Sequence, residues 1–264
     1  GQGVEKDIQK AVALFTLAAT KENSFAAFAL GKLYLAGDAA LPRDPAAALK
    51  WLTYAAELGN QFAQYRLGKL LLKGDDGIPK DVIAAIRWLT AAAKQENGYA
   101  EYALALVYLT GEDAPKDSVK ALSLLKRSAG WGNQFAQYRL GKLLLQGEDA
   151  PKDVKAAIRW LTAAAEQGNQ YAQYALGKLY LLGKEVPKDR SSAIKWFQLA
   201  ADQGNEYAQY FLEHMDDRLG QPPVAAVISL FHHLANIFQE QNQPPPSGGV
   251  RVVVDRKLLR KIKA

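Results

Sequence analysis

The stretch NQFAQYRLGKLLL occupies residues 60–72 and returns letter for letter at 133–145. Variants of it stand at 23–35, 97–109, 169–181 and 205–217. Aligning the alanine of each copy gives Ala26, Ala63, Ala100, Ala136, Ala172 and Ala208, spaced 37, 37, 36, 36 and 36 residues apart. A fixed period in this range marks stacked supersecondary units, a solenoid in which each unit buries surface against its neighbours and chain length counts repeats. The usual work of such a stack is to hold another molecule.

Residues 60–95 show how one unit folds. From Gln61 to Lys73, Phe62, Tyr65, Leu67, Leu70 and Leu71 recur at helical spacing, and Gly74 stands where a left-handed residue ends a helix. This is helix A. The loop DDGIPKD follows, in which Pro79 bars continuation and Asp81 is placed to accept from the free amides that open the next helix. Helix B then runs to about Gln95, with Ala85, Leu89, Ala92 and Ala93 on a narrow apolar stripe beside Trp88. The chain is therefore expected to be all-α, an α/α solenoid of about six helical hairpins.

The other copies repeat these devices. Asp7, Asp44, Asp117, Asp153 and Asp189 share the loop position of Asp81, and read as caps in preference to an acidic metal ladder. Gly59-Asn60, Gly132-Asn133, Gly168-Asn169 and Gly204-Asn205 end helix B and open helix A within two residues, which forces antiparallel packing. Gly31, Gly68, Gly141 and Gly177 lie inside helix A, where glycine costs roughly 1 kcal/mol against alanine, so each calls for a close contact. The expected partners are the pairs Ala55-Ala56, Ala92-Ala93, Ala164-Ala165 and Ala200-Ala201. Trp51, Trp88, Trp160 and Trp196, with Leu124 in the third full repeat, are expected to fill the space between units; stacking on a ligand is the alternative.

The residues LGKLYLLG at 176–183, the loop VPKD and AIKWFQLAADQGN at 193–205 resemble the Sel-one-like repeat, a relative of the tetratricopeptide repeat. The resemblance covers about residues 1–217. It implies a right-handed superhelix used as a protein-interaction scaffold. The departures are Ala105 for the helix A glycine, Leu124 for tryptophan, and Glu213 where the last copy should carry glycine.

Beyond the sixth helix A, PVAAVISLFHHLANIFQEQ at 223–241 has helical periodicity and is expected to close the stack. The division is then a repeat region with its closing helix over 1–241, a Pro/Gly linker over 242–249 and a basic tail over 250–264. The segment from YAQYFLEHMDDR through SLFHHLANIF to VDRKLLRKIKA also resembles the region after such repeats in bacterial plasmid-mobilisation relaxases, over about 60 residues and without a catalytic motif. GQGVEKD at 1–7 aligns with the loop GKEVPKD at 183–189, so the chain starts inside a repeat and the parent protein is expected to continue on both sides.

Catalysis has little to stand on. Without cysteine, disulfides and thiolate chemistry are excluded. His232 and His233 are adjacent in a helical pattern, about 100° apart around the axis, which does not suit one shared ion. With His214 the only other histidine, and neither a phosphate-cradling glycine motif nor a nucleophile elbow, the reading is no enzyme, no catalytic residue, no metal and no cofactor. No apolar run reaches the roughly 20 residues of a membrane span; no membrane partner is expected and a cytoplasmic setting is favoured.

Binding is better supported. The net charge of +6 is concentrated in residues 251–264, whose six cations against Asp255 supply +5 and leave +1 elsewhere. Arg256, Lys257, Arg260, Lys261 and Lys263 could contact nucleic acid, or form a solvated amphipathic helix with Leu258, Leu259 and Ile262 inward. Within the repeats, Phe28, Tyr65, Tyr102, Tyr138, Tyr174 and Tyr210 occupy equivalent helix A positions, flanked by Lys32, Arg66, Lys69, Arg139, Lys142 and Lys178, while Glu112, Asp113, Glu148 and Asp149 sit in loops. If helix A lines an inner curve, Tyr65, Arg66, Lys69, Tyr102, Tyr138, Arg139, Lys142, Tyr174 and Lys178 form a groove suited to an extended acidic peptide or a nucleic-acid strand. The alternative is that the aromatics pack between repeats and the cations are ordinary surface.

Overall fold

The computed structural model describes residues 7–74 and 77–214. Among these are twelve helices: α1 (Ile8–Ala19), α2 (Ser24–Ala36), α3 (Pro45–Glu57), α4 (Gln61–Lys73), α5 (Val82–Lys94), α6 (Gly98–Thr110), α7 (Ser118–Gly130), α8 (Gln134–Gln146), α9 (Val154–Glu166), α10 (Gln170–Leu182), α11 (Arg190–Ala201) and α12 (Glu206–His214). Even-numbered helices are the helix A copies and odd-numbered ones the helix B copies, each packed on the next along the chain. An isolated β-bridge joins Asp38 and Leu41. The expected closing helix at 223–241, the linker, the basic tail and the histidines His232 and His233 all lie outside the described residues.

The boundaries of α1 to α11 follow from short-range hydrogen bonds. The six loop aspartates are N-caps: the Asp81 carboxylate accepts from the Ala84 amide at 2.9 Å, and Asp7, Asp44, Asp117, Asp153 and Asp189 do the same at 2.8–3.0 Å. The Asp81 amide also donates to the Leu71 carbonyl at 2.9 Å, so the cap fastens the loop back onto helix A. At the opposite turn, Asn60 accepts from the Phe62 and Ala63 amides and its own amide donates to the Ala55 carbonyl. Gly59 takes φ +85° there, and Gly132, Gly168 and Gly204 take +84°, +87° and +84° at their turns; Glu96 holds the same position with φ +63°, a conformation disfavoured for a side chain.

The core is a ladder of alanine and leucine. Leu30, Leu67, Leu140 and Leu176 on helices A and Leu52, Leu89, Leu125, Leu161 and Phe197 on helices B are fully buried. The helix A glycines make the expected close approach, but to a different partner. A Cβ at Gly68 would lie 2.6 Å from Leu89 Cγ, at Gly141 2.7 Å from Leu161 Cγ, and at Gly177 2.7 Å from Phe197 Cδ1. The alanine pairs, apart from the partly exposed Ala201, are buried at the other interface, where helix B meets the next repeat and the Gln64 side chain donates to the Ala56 carbonyl at 3.0 Å.

The tryptophans are also placed differently. Trp51, Trp88, Trp160 and Trp196 are only partly buried, and the preceding residue holds a cation over each ring: Lys50 at 5.8 Å, Arg87 at 4.9 Å, Arg159 at 5.2 Å and Lys195 at 5.5 Å. Neighbouring residues on a helix point about 100° apart, so only one can face the helix A glycine, and the residue after the tryptophan takes that place. The tryptophans pad the margin of the core while the next residue fills it.

Candidate functional site

Successive helices A lie close enough for their aromatic rings to pair, and α4 touches α6 directly. Phe28 meets Phe62 at 6.4 Å between centroids, Tyr65 meets Tyr99 at 6.0 Å, Tyr102 meets Phe135 at 6.3 Å, Tyr138 meets Tyr171 at 6.1 Å and Tyr174 meets Tyr207 at 6.2 Å. The aromatic row is therefore a double one, stitched across the repeats, and its rings are shared between inter-repeat packing and surface. The second row, Phe62, Tyr99, Phe135, Tyr171 and Tyr207, did not figure in the expected groove. Its signal was present, since each member precedes the groove tyrosine by three residues and so shares its helix face. Phe62 and Tyr99 keep about half of their surface exposed, 48% and 55%.

Packing changes the chemistry of this row. Burial raises the pKa of Tyr65, Tyr102 and Tyr174, and pushes Tyr138 up to about 12 with Arg139 partly opposing. These hydroxyls stay protonated and serve as neutral hydrogen-bonding groups. The lysines beside them shift the other way. Burial, then the neighbouring arginine, lowers Lys69 (Arg66) and Lys142 (Arg139); Lys178 falls to about 8 through burial, Lys142 and Lys184. Lys69 Nζ lies 5.8 Å from the Tyr65 ring centroid and Lys32 Nζ lies 5.7 Å from that of Phe28.

The loops have the opposite electrostatic character. Lys80 pairs with Asp113 of the next loop at 2.6 Å, Lys116 with Asp149 at 2.8 Å and Lys152 with Glu185 at 2.8 Å. Asp113, Asp149 and Glu185 are thus engaged by loop lysines of the preceding repeat. On the helix A face, Arg66, Lys69, Arg139 and Lys142 have no carboxylate within ion-pair distance among the described residues, and Arg139 Nε is buried without a hydrogen-bond partner. All nine residues of the expected groove lie on four consecutive helices A, α4 to α10.

A glutamine network tightens the joints beneath this face. Gln64, Gln137 and Gln173 donate to Ala56, Ala129 and Ala165 carbonyls, and their Oε1 atoms accept from Gln95, Gln167 and Gln203 at 2.7–2.8 Å. The third joint differs: Glu101 replaces the buried glutamine, Trp131 its partner, and Arg127 approaches Glu101 Oε1 at 2.5 Å. Ser128 instead donates to the Gly98 carbonyl at 2.6 Å.

The capping bonds satisfy the aspartates locally, and no group of three or more His, Asp and Glu side chains stands together among the described residues. Nor, among them, is any helix long and apolar enough to cross a membrane.

The Sel1 repeat family model matches residues 1–23, 24–60, 61–97, 98–130, 134–169 and 170–205. The chain belongs to the Sel1 repeat family. Five of the six matched units end at the asparagine that opens the next helix A: Asn23, Asn60, Asn97, Asn169 and Asn205. The chain is similar to a solved Sel1 repeat protein from Oxalobacter formigenes, with 34% identity over 81% of this chain and 62% of that one, TM-score 0.73. It is also similar to c5321, a protective antigen of uropathogenic Escherichia coli with this fold, at 29% identity over 94% of this chain and 55% of that one, TM-score 0.74. An immunity protein, PA5088 from Pseudomonas aeruginosa, shares the fold at 21% identity and TM-score 0.50, covering 83% of this chain and 88% of that one. The chain thus spans less than two thirds of the length of the first two. A search of curated proteins found no significant match. Sel1-repeat proteins typically mediate protein–protein interaction, and the repeat is a non-catalytic scaffold type. The resemblance to relaxases rests on residues at and beyond the end of both the family match and the described structure.

Proposed function

We propose that this chain is a binding scaffold whose helix A face holds an extended acidic segment of a partner protein, without catalysis. The observation that carries this reading is the separation of charge: Asp113, Asp149 and Glu185 are engaged in inter-repeat ion pairs with loop lysines, whereas Arg66, Lys69, Arg139 and Lys142 form no ion pair among the described residues, Asp149 acting on Arg139 only at longer range. Half-exposed rings between these cations supply apolar contact beside each charge, the combination that makes an anchor more than a screened ion pair. A single exposed charge contact contributes only about 0 to 1 kcal/mol, so several must act together on one ligand.

The test is fluorescence titration of a glutamate-rich peptide against the wild type and the variant with Arg66, Lys69, Arg139 and Lys142 all changed to Ala. Loss of binding with an unchanged helical circular-dichroism signal, and weakening of the wild type by salt, is the expected result. Equal affinity of both proteins would remove the helix A face from consideration.

A further inference from the structure

The positions of Arg66 and Lys69 in α4 are Ala103 and Leu106 in α6, Arg139 and Lys142 in α8, and Ala175 and Lys178 in α10. The helix A cations therefore form two islands. One is Lys32, Arg66 and Lys69 on α2 and α4; the other is Arg139, Lys142 and Lys178 on α8 and α10, with Lys184 in the loop beyond. Between them α6 presents partly buried Ala103 and Leu106, with Tyr99 and Tyr102 alongside. Some of these cations are near enough to oppose one another's protonation: Arg66 acts on Lys69, Arg139 on Lys142, and Lys142 and Lys184 on Lys178. Lys69, Arg139 and Lys142 are partly buried without an ion pair among the described residues, Asp149 acts on Arg139 only from beyond ion-pair distance, and Arg139 Nε is buried and unpartnered, so these positions suit anions from outside the chain.

We infer that the ligand of this face is a peptide with two acidic clusters separated by an apolar stretch, one cluster on each island and the stretch across α6. Successive helices A meet through their side chains rather than by close backbone packing, so their spacing lies at or beyond the upper end of the roughly 8–10 Å of packed helices, which puts α4 and α8 about 20 Å from each other. An extended chain covers about 3.3 Å per residue, so about five or six residues bridge the islands. A uniformly acidic strand leaves its central charges over Ala103 and Leu106 and loses their hydration without a cation to replace it. The inference rests on the helix A face being the binding surface, and its test separates the two.

Two labelled peptides of identical composition serve as probes, one with three glutamates, five apolar residues and three glutamates, the other with six glutamates followed by the same five. A mixed-sequence single-stranded DNA oligonucleotide is the third. Wild-type protein is expected to bind the split peptide at least tenfold more tightly than the block peptide. The variant Ala103→Arg/Leu106→Lys writes into α6 the pair that α4 and α8 already carry, and should bind the block peptide as well as the split one. Equal wild-type affinity for both peptides, with the quadruple alanine variant still inactive, would overturn the two-island reading and leave the binding face standing. Peptide binding unaffected by the quadruple variant would sink the face itself, and DNA bound more tightly than either peptide would overturn both in favour of a nucleic-acid ligand. The wild-type comparison decides the matter even if the α6 variant folds poorly.

Discussion

Helices α4 and α8 share twelve of thirteen residues, QFAQYRLGKLLL, yet they do not occupy the same environment. Their inward faces are the same: Ala63, Gln64, Leu67, Gly68, Leu70 and Leu71 are buried in α4, and Ala136, Gln137, Leu140, Gly141, Leu143 and Leu144 in α8. Their outward faces differ. Phe62 and Arg66 are exposed, whereas Phe135 and Arg139 are partly covered, and Tyr138 is the tyrosine whose pKa burial pushes up to about 12. What changes is the neighbour, since α8 packs between α6, with its uncharged Ala103 and Leu106, and α10, with Lys178. Hairpin packing is a property of one repeat, while the character of the helix A face belongs to consecutive repeats together.

The sharpest way to break this comparison is in the shared core. Leu89→Ala and Leu161→Ala face the glycines of α4 and α8, and each should cost about 2–5 kcal/mol, by similar amounts, in urea denaturation. Trp88→Ala and Trp160→Ala should cost about half as much, because those rings are only partly buried. A tryptophan effect as large as the leucine effect would mean that the assignment of helix B's inward face is wrong.

The joint between the two helices supplies the next effect. Glu101 is fully buried and faces Arg127 with Glu96 nearby; burial raises its pKa, the Arg127 cation opposes this and Glu96 adds to it. A carboxyl with a raised folded pKa binds its proton better in the folded state. Its penalty is therefore absent below the ordinary carboxylate range and grows as pH climbs through the raised value. Glu101→Gln should stabilise the protein by about 1–3 kcal/mol at neutral pH, by restoring the amide found at the other joints, and should have little effect at pH 4. Equal effects at both pH values would contradict the assignment.

Smaller differences concern the ligand. Arg139→Ala/Lys142→Ala should weaken binding of an acidic peptide roughly tenfold more than Arg66→Ala/Lys69→Ala, about 1.4 kcal/mol, because the α8 cations are less hydrated and each contact there acts in a lower dielectric. Smallest is a pH effect: with Lys178 titrating at about 8, affinity should fall between pH 7 and 9 as that charge is lost, and Lys178→Gln should flatten the profile. Lys142, Lys184 and the phenol of Tyr174 surround this change, and Tyr174 stays protonated throughout.

Much of the architecture was legible in the sequence because it depends on neighbours a few residues away. The recurrence of Asp81, Asn60 and Gly74 and their equivalents set helix starts and stops through capping bonds that span two to four positions. Which side chain meets the helix A glycine was decided by tertiary structure alone, since Trp88 and Leu89 are both apolar and a fraction of a helical turn separates them. The same holds for the doubled aromatic row and for Lys178: rings and charges that meet across 30 or more residues have no local period to announce them, and desolvation arises only where separate helices close over a side chain. Sequence determined the repeating hairpin and the residue types it offers to a partner; the stacking of hairpins decided which of those residues stand together, how deeply each is buried and how strongly its charge acts.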